Sequence, residues 1–135
     1  MGTPLGGAML SNIAVGWVGM LGGVISGALI GLFFEREDWM GGYTSFRRRL
    51  TRLGHIAFFG LGFLNILFGL TTRGLPETAW LATASWALVV GAAAMPVCCF
   101  LSAWRKGFAR LFPIPVTAVS IGIVTLLLNM REVLP

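Results

Sequence analysis

The sequence predicts an all-α polytopic membrane protein, a four-helix transmembrane bundle in antiparallel up-and-down order with short loops. Three observations carry this expectation. The chain of 135 residues is 56% hydrophobic and only 11% charged, whereas soluble domains carry roughly a quarter charged residues. One small soluble core could not hide so much apolar surface. Acidic and basic residues occur only at 35–38, 47–52, 73–77, 105–110 and 131–132, which leaves uncharged windows at 1–34, 53–72, 78–104 and 111–130. Each window can form the ~20-residue helix that crosses a hydrocarbon core ~30 Å thick. In the first window Gly19, Gly23, Gly27 and Gly31 recur every fourth residue, a side-chain-free ridge, or glycine zipper, once the segment is helical. In water each interior glycine costs ~1 kcal/mol relative to alanine, but in lipid the backbone has no other hydrogen-bond partner and stays helical. The helices are expected near Ile13–Phe34, Leu53–Leu70, Thr78–Leu101 and Ile114–Met130, forming a single transmembrane domain over residues 1–135.

Taken in order, Met1–Ser11 is small and uncharged, with Gly2, Pro4, Gly6 and Gly7, and is expected to form an outer tail before Asn12 opens the first helix. The window lacks a basic n-region, its apolar run is long, and it ends in Phe33-Phe34-Glu35 without a small-residue cleavage pattern, so it is expected to be retained rather than removed as a secretory signal. Trp17, Phe33, Phe34 and Trp39 fall where amphipathic rings anchor helices at membrane interfaces. Glu35-Arg36-Glu37-Asp38 stops the apolar run, and a turn-rich, aromatic link from Trp39 to Phe46 follows. Arg47, Arg48, Arg49 and Arg52 then form the densest basic cluster. Such a cluster contacts anionic lipid or a partner, at ~1 kcal/mol per basic residue near a negative leaflet, and also sets topology.

The second helix is the most informative. His55, Phe58, Gly62, Asn65 and Gly69 alternate spacings of three and four and so share one face. Polar side chains avoid lipid, so that face is expected to meet protein, with Asn65 bridging to a neighbouring helix. Pro76 marks the break before the third helix, and Thr78 is its expected N-cap. Ala79, Thr83, Ala87 and Gly91 make a second small-residue ridge, a natural partner for the first ridge or for another subunit. Pro96 is expected to kink this helix and free a carbonyl near Ala92. The basic and aromatic stretch with Arg105, Lys106 and Arg110 reads as a piece lying on the membrane surface and contacting lipid or a partner. Pro113 and Pro115 suit the first turn of the fourth helix, along which Thr117, Ser120, Thr125 and Asn129 form a polar stripe.

The formal charge is +5, but the basic residues sit where helices leave the membrane, which reads as orientation rather than as a nucleic-acid contact. By the positive-inside rule the first and third loops are cytoplasmic and both termini face outward. That places the chain in the cytoplasmic (inner) membrane of a presumed bacterium.

Candidate chemistry is sparse. With the first and third loops on one side, His55, Arg52, Met95, Cys98 and Cys99 all belong to the inner leaflet. Imidazole, thiol and thioether groups ligate copper, zinc or haem iron, and the same set could border a quinone pocket, so haem b and quinone are the cofactors to consider. A single histidine excludes two-histidine haem ligation within one chain, and no metal site is assigned. The acids Glu35, Glu37, Asp38, Glu77 and Glu132 all lie at helix ends, so no embedded carboxylate path exists. Paired site carboxylates, a phosphate loop and a Ser/His/acid set are all missing from the sequence, and the chain is not expected to be an enzyme. The leading expectation is an accessory or structural subunit that packs by its glycine-rich faces against other membrane subunits, or itself, in a larger electron-transfer or energy-converting complex. The alternatives are a haem-, metal- or quinone-binding electron-transfer protein using His55, and a homo-oligomeric channel or transporter lined by the glycine ridge and the polar stripe.

Overall fold

A computed structural model describes the backbone of residues 4–133 and the side chains of residues 11–131. The chain is all-helical, and four helices are long and apolar enough to cross a membrane. These are α1 (Pro4–Gly31), α2 (Phe46–Thr71), α3 (Ala79–Trp104) and α4 (Pro113–Val133), with short 3-10 turns at Trp39–Gly41 and Lys106–Leu111.

The helix ends follow from local chemistry. Ser45 caps α2, its hydroxyl accepting from the Arg48 N–H at 3.2 Å and donating to the Met40 carbonyl at 2.8 Å. This cap starts α2 earlier than the expected Leu53, so Arg47, Arg48, Arg49 and Arg52 lie on its first two turns rather than in a loop. Thr78 caps α3 as anticipated, accepting from the Leu81 N–H at 3.2 Å. The reversal after α1 passes through Met40, Gly41 and Gly42 at φ 55°, 88° and 94°, where glycine avoids the Cβ clash of left-handed backbone. At the other end, α1 begins at Pro4 rather than near Asn12. Asn12 is therefore a fully buried helix-interior residue, not an opening residue. The remainder of the expected outer tail, Met1 to Thr3, lies outside the described residues. Through Pro96 α3 runs as one continuous helix, so the expected kink produces no break.

Glycine positions show how the helices pair. A Cβ at Gly16 would stand 2.6 Å from the Gly62 carbonyl oxygen, one at Gly19 3.3 Å from the Phe58 carbonyl oxygen, one at Gly23 2.6 Å from the Phe59 ring and one at Gly27 2.6 Å from the His55 ring. As numbers rise along α1 they fall along α2, which makes the pair antiparallel and in near-backbone contact. Between α2 and α3, Gly54 faces Cys99, its Cβ position 3.1 Å from the cysteine Cβ. Gly122 of α4 fits against Leu88 and the Ala84 carbonyl of α3, and Gly91 of α3 against Val119. Close approach of this kind is how helices associate in lipid, where apolar side chains gain nothing from leaving one apolar phase for another.

The result is less symmetric than the expected bundle. α1, α2 and α3 all pack on one another, whereas α4 packs on α3 and on no other long helix among the described residues. A small apolar cluster of Phe68, Leu81, Ala84 and Leu88, with Leu126 of α4 against it, closes the end away from the first loop. Because successive helices are antiparallel, eight of the ten basic residues gather at the opposite end.

Candidate functional site

Three polar constellations lie between the helices. The most buried joins α1, α2 and α3. Asn12 donates through Nδ2 to Asn65 Oδ1 at 2.8 Å and to the Ser85 carbonyl at 3.3 Å, while Ser85 Oγ donates to Asn12 Oδ1. Asn65 Nδ2 donates to the carbonyls of Leu61 at 2.9 Å and Leu88 at 3.2 Å. Both asparagines are 0% exposed, and all four amide N–H groups find acceptors. In this site every donor is satisfied, so it binds the helices together and has no group left over for a ligand.

The second constellation is His55, on the face of α2 that meets α1. Its Nδ1 lies 3.1 Å from Ser26 Oγ, and Ser26 donates to the Gly23 carbonyl at 3.0 Å. The set is complete when Nδ1 carries the imidazole proton and Ser26 accepts it. Phe59 stands edge-on to the ring, with centroids 5.3 Å apart. The other members of the expected ligand set are not brought to it. Cys99 faces Gly54, on the α3 side of α2, and both Cys98 and Cys99 are buried free thiols. Met95 lines a groove between α2 and α4. Arg52 lies over the Tyr43 ring, 4.5 Å from its centroid. Among the described residues no group of three or more His, Cys, Asp or Glu is placed to hold a metal ion.

The third is the basic end. Arg48 is only 3% exposed. Its guanidinium donates to the carbonyls of Phe34 at 3.1 Å and Arg36 at 3.2 Å, and it lies 5.5 Å from the Trp39 ring centroid and 5.1 Å from that of Tyr43. Arg47 Nε donates to the Ala103 carbonyl at 3.0 Å. These two arginines thus satisfy carbonyls at and beyond the C-terminal ends of α1 and α3, where positive charge is also favoured by the helix dipole. Arg48 is a structural clamp, which corrects its reading as a lipid-facing residue. Arg49, Arg105, Lys106 and Arg110 are exposed, and Lys106 lies 5.8 Å from the Phe46 ring centroid.

Of the two small-residue ridges, Gly19, Gly23 and Gly27 meet α2, joined by Gly16, whereas the Cβ position of Gly31 has no neighbour within 4 Å. On α3, Ala79 and Thr83 are exposed, Ala87 is half-buried and Gly91 is buried against α4. The ridges therefore do not meet each other. The α1 ridge is covered by α2 from Gly16 to Gly27. In the polar stripe of α4, Thr117 and Thr125 turn back onto the carbonyls of their own helix, and buried Asn129 accepts from Thr78.

Compared with models of known protein families, with curated proteins and with solved structures, the chain matches none of them. Asn12, Ser26 and Ser85 are the site residues that pattern-reading missed. Each lies inside an otherwise apolar window, and a polar residue inside a membrane window was the available signal.

Proposed function

We propose that the protein is a small structural subunit of a larger membrane assembly, acting by helix packing rather than by chemistry of its own. The observation that carries this reading is the position of α4. Packed on α3 and on no other long helix among the described residues, α4 leaves a groove of about 480 Å³ between itself and α2, lined by Leu53, Ile56, Gly60, Met95 and Val116 among others. A groove with glycine in its wall suits another helix, because close backbone approach is what drives helix association in lipid. The row of exposed Ala79 and Thr83 with half-buried Ala87 offers a second such surface. The deeply buried polar set of Asn12, Asn65 and Ser85 is occupied in joining the chain's own helices, so its buried polarity supports the same reading. The clustering of basic residues at one end supports an orientation with that end in the cytoplasm and both termini outside.

A photo-activatable side chain at Ile56, inside the groove, tests the proposal in intact membranes, with one at Val124, 53% exposed on α4, as the comparison. The expected result is one discrete protein adduct from Ile56 and lipid adducts from Val124. Lipid adducts alone from both positions would overturn it.

A further inference from the structure

A second groove lies where α1 meets α2 and α3, with a volume of about 460 Å³. Its floor is Gly22, Ile25 and Leu29 of α1, spaced by three and four and so aligned along one face, continued by Phe33 in the turn just after the helix. From Gly22 along α1 and into the turn at Phe33 the row spans about 16 Å at ~1.5 Å per residue, roughly half of a ~30 Å hydrocarbon core. The groove therefore has the depth of one leaflet. Phe58 of α2 and Phe100 of α3 form the far wall, their rings 6.1 Å apart. At the basic end Phe33 and Trp39 stack with centroids 5.4 Å apart and planes within 6°, forming a lip.

The two hydroxyl residues in the lining are engaged within the protein. Ser26 is engaged with Gly23 and His55, and Thr51 donates to the Arg47 carbonyl at 3.0 Å. The remaining side-chain donor among the lining residues, the Trp39 indole N–H, belongs to the lip, so the length of the groove offers only apolar wall, which is what an acyl chain requires. Charge is concentrated at one end only. The exposed Arg36 lies over Phe33, 5.7 Å from the ring centroid, and residues 35–52 carry five arginines against three carboxylates. A partner helix would require a surface running the full membrane depth, which this groove does not provide.

We propose that the groove holds one acyl chain of an anionic phospholipid, with the headgroup phosphate on Arg36. The apolar wall sets the chain position and the arginine selects the headgroup charge. The site is independent of the α2–α4 groove, so it stands or falls separately from the subunit reading.

The test uses the full-length protein, exchanged into lipid-free detergent and titrated with phosphatidylglycerol or phosphatidylcholine, with bound lipid counted by native mass spectrometry. One phosphatidylglycerol per chain is expected, bound more tightly than phosphatidylcholine. Leu29→Trp, which fills the groove from a residue 56% exposed, should abolish that binding, and Ile25→Phe serves the same purpose if the first variant does not fold. Leu127→Trp, on the outer face of α4, should leave it unchanged. Arg36→Gln should weaken phosphatidylglycerol on the order of fivefold and leave phosphatidylcholine unaffected. Equal binding of the two lipids by the unaltered protein, or binding that survives a folded groove-filling variant, would overturn the proposal.

Discussion

Asn65 is the residue on which three helices converge, and removing its amide leaves Asn12 Nδ2 short of one of its two acceptors in a buried site. Asn65→Ala is expected to destabilise the protein by about 1–3 kcal/mol, the range for a buried polar group left unpaired together with a lost interhelical bond. Unfolding in mixed micelles measures this. A double-mutant cycle with Asn12→Ala should give less than the sum of the single effects, since both changes break one bond. Arg48 makes the complementary case at the surface end. Arg48→Ala should release the segment between α1 and α2, seen as faster amide exchange over residues 35–45, while Arg49→Ala leaves exchange there unchanged. From the sequence Asn65 was legible, because a polar side chain at mid-window demands a partner. Arg48 was not, since three consecutive arginines look alike until the Ser45 cap sets the helical phase that turns one of them inward.

At the scale of the helix, the glycine pattern was legible but its register was not. Spacing by four marks a ridge, and Gly19, Gly23 and Gly27 do meet α2. The ridge is displaced by one turn from the expected set, gaining Gly16 and losing Gly31. Sequence spacing states which residues share a face, and the partner helix decides how far along that face contact extends. The two ends should therefore respond differently to one added methyl group. Gly16→Ala drives a Cβ onto the Gly62 carbonyl and is expected to cost about 1–3 kcal/mol as overpacking. Gly31→Ala meets nothing and should be neutral or stabilising by up to ~1 kcal/mol through helix propensity. Similar losses at both positions, measured by the same unfolding assay, would contradict the observed register. On α3, the Ala79, Thr83 and Ala87 row is turned away from the core because Leu81, Ala84, Ser85 and Leu88 occupy the buried face. Composition alone could not choose between these two faces, as both are made of small and apolar residues.

For the whole molecule, four uncharged windows separated by charged links were enough to count the helices and to order them up and down. The peripheral place of α4 was not readable, because the hydroxyls of its polar stripe, Thr117 and Thr125, bond to carbonyls of their own helix and so do not point it at a second neighbour. The candidate ligand set is not brought together within the chain, for a related reason. His55 and Gly54 are adjacent in sequence but about 100° apart around a helix, so the residue that faces Cys99 is the glycine and the imidazole is turned to α1. What remains is a protein whose most buried polar set, Asn12, Asn65 and Ser85, is consumed in its own assembly and whose outer helices present open apolar surface. The measurement that bears most directly on that reading is the mass and composition of the particle extracted from native membranes in mild detergent. A particle containing this chain and other membrane proteins in fixed ratio is the expected result. A particle containing this chain alone, as a monomer or as copies of itself, would contradict it.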